Sequence, residues 1–227
     1  AAGDLTSFTD RTDAETTYTY EGNHYLKEIH DPLGRTPIRN EYGPDGRLTK
    51  HVDAFGHEIL YDHQLAANRE IVTNRLGASR QLDYDARGNV THEVDESGVE
   101  TTRTFDGNDQ LLTETDELGN TTSYVYDAQR NLTSTTDPLG NVTRFTYDAR
   151  GNALTTTDPR GGLTTNLYDA KSNLTRTTDA TGAVTNFTYN TKGELLSELD
   201  ALGNLTSYQV DSRGRVTRET DALGHAT

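Results

Sequence analysis

The stretch from Phe145 to Gly162, FTYDARGNALTTTDPRGG, holds two turn motifs ten residues apart. They are Asp148-Ala-Arg-Gly151 and Asp158-Pro-Arg-Gly161, and Tyr147 stands just before the first. Asp bonds the backbone two residues on, and Gly at the fourth position supplies positive φ. Two reversals so close leave room only for short segments between them. Those segments, such as NVTRFTY and NALTTTD, are rich in Thr, Val, Phe and Tyr and lack helical periodicity, so they read as antiparallel strands.

The pattern recurs along the chain. Asp-x-x-Gly is found at Asp31–Gly34, Asp53–Gly56, Asp95–Gly98, Asp116–Gly119, Asp137–Gly140, Asp158–Gly161, Asp179–Gly182, Asp200–Gly203 and Asp221–Gly224. Asn74–Gly77 fills the one gap, and Asp10 continues the register backwards. The spacing is 22 once, between Asp31 and Asp53, and 21 thereafter. An aromatic follows each Asp or its equivalent by ten residues at Tyr20, Tyr84, Phe105, Tyr126, Tyr147, Tyr168 and Tyr189, and by eleven at Tyr42. His63 and Val210 stand in for it elsewhere. Six residues after the aromatic comes an aliphatic position, among them Leu26, Leu48, Leu132, Leu174 and Leu195. A fixed period of this kind marks a repeat architecture and outranks any local motif.

Composition sets the thickness of the fold. Hydrophobic residues are 31% of 227, with no Trp, Met or Cys, against roughly 45–50% apolar in ordinary domains. Twelve Tyr and five Phe argue against disorder. The expectation is an all-β sheet of stacked hairpins, a wall with no thick core, formed by one array of about ten repeats over 1–227. Residues 61–77 are the most degenerate repeat: Tyr61-Asp62 reads as the aromatic and its Asp slid two residues early. Pro37 and the extra residue near it mark a bulge. Residues 1–10 align with 149–158, and the last residues follow the opposite turn. No atypical capping repeat closes either end, which predicts a piece of a longer array.

Charge and composition narrow the function. A net charge of −15 repels nucleic acid and anionic lipid. No apolar run reaches the ~18–20 residues needed to span a membrane. No signal-peptide pattern opens the sequence. Without Cys there are no disulfides, thiolate metal sites or cysteine nucleophiles. Phosphate loops, dinucleotide fingerprints and nucleophile elbows are absent from the sequence, which reads as non-enzymatic and free of cofactors.

With YDARGN, TDPLGN and the 21-residue period in hand, the chain resembles the YD-repeat region of the Rhs family. That region is shared with the shell subunits of insecticidal Tc toxins and with animal teneurins. The resemblance runs from Asp10 to Asp221. It implies a strip of β-hairpins spiralling into a hollow shell. In bacterial members it implies a C-terminal toxin domain held inside as cargo, secretion-spike proteins as partners, and type VI secretion. The implied location is the bacterial cytoplasm before export and delivery to a target cell afterwards. The alternative is a cell-surface or carbohydrate-binding adhesion module, in which Tyr faces would meet sugar. The two readings differ in whether the Tyr side chains stack between hairpins or lie free on one face.

Other chemistry has weaker support. Rhs proteins carry a self-cleaving Asp site built on DPxG-type motifs, and Asp137-Pro-Leu-Gly140 and Asp158-Pro-Arg-Gly161 resemble it superficially. Their separation equals the repeat period, however, and an acid dyad needs a desolvated site. The Asp spacing fits no calcium loop. His51, His57 and His63 are spaced to fall across strands and turns. Seven Asn-x-Thr sequons (Asn89, Asn120, Asn131, Asn141, Asn173, Asn186 and Asn204) arise chiefly where a turn Asn precedes a Thr-rich strand.

Overall fold

The computed structural model describes residues 3–22 and 24–227. They form 21 strands and one short 3₁₀ turn, from β1 (Ser7–Thr9) to β21 (Val216–Thr220). The chain divides into two compact units, Ala1–Asn120 and Thr121–Thr227. The first holds β1 to β11 (Leu111–Thr115) and the second β12 (Thr121–Tyr126) to β21. Within each unit every strand pairs antiparallel with the next in sequence. Among the described residues no second layer covers either sheet.

One repeat shows the register. β13 (Leu132–Thr136) and β14 (Val142–Tyr147) pair from Thr136↔Val142 to Ser134↔Arg144, and there the pairing stops. β14 and β15 (Ala153–Thr157) pair from Arg144↔Thr157 to Tyr147↔Ala153, with a bulge between Thr146 and Tyr147. So a hairpin closed by a turn after Tyr is bulged, whereas the join between hairpins is regular but splays at the Tyr end. The same bulge recurs between Leu167 and Tyr168 and between Thr188 and Tyr189.

The alternation along a strand sorts side chains. In β14 Arg144 and Thr146 are exposed, while Phe145 and Tyr147 on the opposite face are half-buried. Among the described residues Val52 is the one buried apolar side chain and Asn40 the buried polar one. The sheet is therefore held by its hydrogen-bond ladder and by cross-strand pairs worth roughly 0.2–1 kcal/mol each, summed over many strands. Asn40 is fully engaged, donating to the Leu26 carbonyl at 2.9 Å and meeting His51 at 2.9 Å.

The two irregular places have distinct causes. The extra residue is absorbed at Thr36–Pro37: the turn closes from Asp31 to Arg35, and pairing resumes one residue out of step at Ile29↔Ile38. In the degenerate repeat, β6 (Glu58–Gln64) and β7 (Arg69–Thr73) pair without a bulge, and a 3₁₀ turn at Leu65–Ala67 replaces the tight turn. Tyr61-Asp62 is not a displaced turn. Tyr61 lies 84 residues before Phe145 and pairs with Val72 within the ladder, in the same repeat position as Phe145.

Candidate functional site

Strands that reverse at every turn put alternate turns on opposite edges of each sheet. One edge carries the turns that follow the aromatic; we term it the Tyr edge. The other carries the Asp-x-x-Gly turns between hairpins, the Leu edge. Their backbones are the same. At Asp148, Oδ1 accepts from Arg150 N at 2.8 Å and Asn152 N at 2.9 Å, while Gly151 N donates to the Asp148 carbonyl. At Asp137, Oδ1 accepts from Leu139 N at 2.9 Å and Asn141 N at 2.8 Å, while Gly140 N donates to the Asp137 carbonyl. The fourth residue sits at φ 85 in Gly151 and 82 in Gly140, a region that costs an L-residue about 1–2 kcal/mol. Arg130 and Ser172 adopt it nonetheless. Asp31, Asp53, Asp95, Asp116, Asp158, Asp179, Asp200 and Asp221 accept the same two amides. Gly34, Gly56, Gly98, Gly119, Gly161, Gly182, Gly203 and Gly224 lie at φ 75 to 86.

A fifth residue locks the turn. Asn141 Nδ2 donates to Asp137 Oδ2 at 2.8 Å, and Asn152 does the same to Asp148. Asn89, Asn120, Asn131, Asn173 and Asn204 repeat the bond, so six of the seven sequon Asn side chains serve as turn clamps. The Asn141 side chain and the turn amides hold Asp137 below the usual carboxylate range, and Asn152 and Asn204 with their turn amides do the same for Asp148 and Asp200. His57 holds Asp53 down at about 2 in the same way.

The aromatics bridge the splay. Tyr147 Oη donates to the Leu132 carbonyl at 2.8 Å, beyond the point where β13 and β14 stop pairing. Tyr168 reaches the Ala153 carbonyl at 3.1 Å and Tyr189 the Leu174 carbonyl at 2.9 Å. Tyr20 reaches Leu5 at 3.0 Å and Tyr42 reaches Leu26 at 2.7 Å. In the degenerate repeat His63 Nε2 meets the Leu48 carbonyl at 2.7 Å, so a different ring makes the same bond. Tyr84 bonds through its amide to the Asn68 carbonyl and through its hydroxyl to Glu70. Phe105 and Val210 have no hydroxyl to give, and Tyr126 is half-buried on its strand. Burial pushes the Tyr84 and Tyr189 hydroxyls above their ordinary value, which keeps them donors.

At the Tyr edge, neighbouring turns are strapped together. Arg87 donates to the Asp106 carbonyl and Arg150 to the Ala170 carbonyl, each at 2.6 Å. Lys171 reaches the Thr191 carbonyl, and Lys192 the Ser212 carbonyl at 3.0 Å. A Cβ on Gly214 would lie 2.6 Å from Glu194. At the Leu edge a Cβ on Gly140, Gly161, Gly182, Gly203 or Gly224 would meet nothing within 4 Å.

Some groupings were not visible in the sequence. Arg80, Glu93, Arg103 and Glu114 form an ionic ladder over four strands, with contacts of 2.6, 3.0 and 2.8 Å. Arg103 stands 42 residues before Phe145, so charge replaces an aromatic in that row. The repeat position itself was the available signal. Arg69 grips Asp83 with two bonds and, with His92, lowers its carboxyl to about 2.

The chemical candidates fare differently. Asp137 and Asp158 share a groove of about 410 Å³ with Asn141, Pro159 and Arg160. Both carboxylates accept turn amides, and Asp137 is shifted toward the ionised form, opposite to what a general acid needs. A cleft of about 400 Å³ beside the degenerate repeat is lined by Arg47, Arg69 and Arg87, each already holding a carboxylate. His51, His57 and His63 bond to Asn40, Asp53 and Leu48 respectively. Among the described residues no three His or acidic side chains converge as a metal site. Among the described residues no helix is long and apolar enough to cross a membrane.

The family described as RHS Repeat matches residues 1–36, 105–142, 131–163, 168–205 and 189–226. No curated protein matches the chain. Among solved structures, TcdB2-TccC3 without its hypervariable C-terminal region aligns over 95% of this chain at TM-score 0.58 and 14% identity. TcdB2-TccC3 aligns over 97% at 0.57 and 14%, and TcdB2-TccC3-Cdc42 over 94% at 0.55 and 15%. This chain spans 14–15% of the length of those chains. At such identities the likeness is one of fold.

Proposed function

The chain belongs to the RHS repeat family, and from that premise we propose that this structural segment is part of a shell enclosing a toxin cargo. The observation that carries the reading is the direction of the Tyr hydroxyls. Five of them close the gap to the preceding hairpin on a main-chain carbonyl. A glycan-binding face needs aromatic rings free to stack on sugar; these rings are used between hairpins. A wall of large area with no thick core is what enclosure requires, and this sheet has that construction. In this reading the partners are the rest of the shell and a toxin domain inside it. Export by a secretion apparatus carries the loaded shell from the bacterial cytoplasm to a target cell, with spike proteins as its vehicle. The segment acts by walling off and has no catalytic part.

The test is native mass spectrometry of the protein as isolated with its partners retained, followed by protease challenge. A toxin-sized polypeptide that travels with the shell and resists digestion until the shell is opened supports enclosure. A monodisperse 25.0 kDa species with nothing bound overturns it.

A further inference from the structure

The two units place their charges differently. Ala1–Asn120 carries 24 Asp and Glu against 11 Lys and Arg, whereas Thr121–Thr227 carries 12 against 10. In the first unit each of the six strand cations holds a carboxylate, from Lys27 with Glu21 to Arg103 with Glu93. In the second unit five charged residues lie on strands: Arg144, Arg176, Glu198, Arg218 and Glu219. Strand pairing sorts them by face. Arg144 lies opposite Thr157 and Arg176 opposite Leu167, and these positions share a face through the pair Thr155↔Thr165. Arg218 joins the same face through Asn186, the pair Ser197↔Ser207 and Gln209. Glu198 and Glu219 pair with Phe187 and Tyr208 on the other face. One face of this unit therefore carries three arginines and no acid on its strands. All three are exposed, and among the described residues none of their side chains has an ion pair or a hydrogen-bond partner.

We propose that this face binds an extended acidic polypeptide segment laid across the strands. The unpaired guanidinium groups are the first argument. Each presents a planar fork of donors that matches a carboxylate bidentately, and the first unit gives every strand cation such a partner. Spacing is the second. Arg144 and Arg176 stand three strands apart and Arg176 and Arg218 four, at least about 14 and 19 Å at the usual strand separation. An extended chain covers those steps in about four to six residues or a little more, so its carboxylates have only to recur at that interval. The surface between the arginines is the third. Ser134, Thr155, Thr165, Asn186 and Ser207 share the face, and hydroxyls and amides of this kind hydrogen-bond a peptide backbone. The borders exclude bulkier polyanions. A six-residue strand makes a face about 20 Å wide, and Asp turns such as Asp148 and Asp158 line both of its edges. A single chain fits within that border. A nucleic-acid duplex, with a phosphate charge about every 1.7 Å, would overhang the Asp turns and meet too few cations. An anionic membrane would meet the same Asp turns. The inference stands whether or not a cargo is enclosed.

The probe is a fluorescein-labelled peptide of Gly, Ser and regularly spaced Glu, roughly 20 residues long so as to span all three arginines. Fluorescence anisotropy with the 227-residue chain is expected to show binding that weakens as salt rises. The same peptide with Gln in place of Glu should bind at least about tenfold more weakly. Changing Arg144, Arg176 and Arg218 to Gln together should also weaken binding at least about tenfold, with the circular dichroism spectrum and melting curve unchanged. Changing the turn residues Arg11, Arg75 and Arg160 to Gln removes the same charge elsewhere and should leave binding within about twofold. A Glu peptide that does not bind, equal losses in the two triple variants, or tighter binding of a DNA duplex or of phosphatidylserine vesicles would each overturn the proposal.

Discussion

Outside the degenerate repeat, the Tyr edge and the Leu edge of each sheet are closed by the same five-residue turn, yet one is strapped and the other open. At the Tyr edge the strands splay, a bulge falls just before the aromatic, and the gap is filled by Tyr hydroxyls and by Arg and Lys straps. At the Leu edge the ladder is regular up to the turn, the fourth-position glycines from Gly140 to Gly224 have nothing within 4 Å, and Leu139, Leu202 and Leu223 face solvent. The difference teaches that the turn fixes only the reversal. What each edge does is decided by the third turn residue and by the residue before the Asp.

The largest effect that tests this comparison is collective and should strike both edges together. Asp31, Asp116, Asp137, Asp148, Asp200 and Asp221 lie below their unfolded value near 3.9, held there by turn amides and by the fifth turn residue, and Asp53 and Asp83 lie at about 2. Their contribution is therefore complete above about pH 4 and lost as pH falls toward 2. The melting temperature should drop steeply through that window. The turn at Asn74 is an internal control, because its Oδ1 accepts from Leu76 and Ala78 amides without a charge. Amide protection at Leu76 and Ala78 should outlast that at Leu139 and Asn141 as pH falls; equal loss would show that charge is not what holds the turns.

Next in size, Tyr147→Ala should cost about 2–3 kcal/mol in denaturant unfolding through lost packing at a half-buried site, and Tyr147→Phe about 1 kcal/mol. If the Phe variant is neutral, the hydroxyl bridge carries no weight and the splay is closed by ring packing alone. Glycines then separate the edges more finely. Gly203→Ala on the open edge should cost about 1–2 kcal/mol from positive φ alone. Gly46→Ala at the Tyr edge should cost more, because the added carbon collides with the Tyr25 ring. Equal losses would mean that the crowding is easily relieved. Smallest of all, Leu139→Ser should change the stability of a single chain by less than about 0.5 kcal/mol, since its side chain is 88% exposed. A larger change would mean that the tip takes part in its own fold.

Much of the fold was legible because repetition restates it. Asp-x-x-Gly in phase marked the turns, and the Thr- and Tyr-rich segments between them marked the strands. The roles within a repeat were harder to read. A bond from Tyr147 to the Leu132 carbonyl depends on where pairing ends, and no residue type announces that. The choice of Tyr over Phe at most of these positions was the only trace. His63 looked like a lost aromatic, whereas its ring nitrogen preserves the bond. Tyr61 looked like a slipped motif, and counting back 84 residues from Phe145 assigns it to another row. The ionic ladder through Arg103 escaped notice because charged residues in a polar sheet look like surface. The exposed Leu tips were hidden within the motif, read as part of a turn rather than as side chains.

The backward reach of Tyr147 also bears on how such a chain changes over generations. Each aromatic completes the hairpin before its own, so the stretch that is copied and the stretch that holds together are offset by most of one repeat. Loss or duplication of a whole 21-residue unit therefore leaves no orphan: the next aromatic arrives at the same carbonyl, and the count of repeats is free to drift while each hairpin keeps its bridge to the one before.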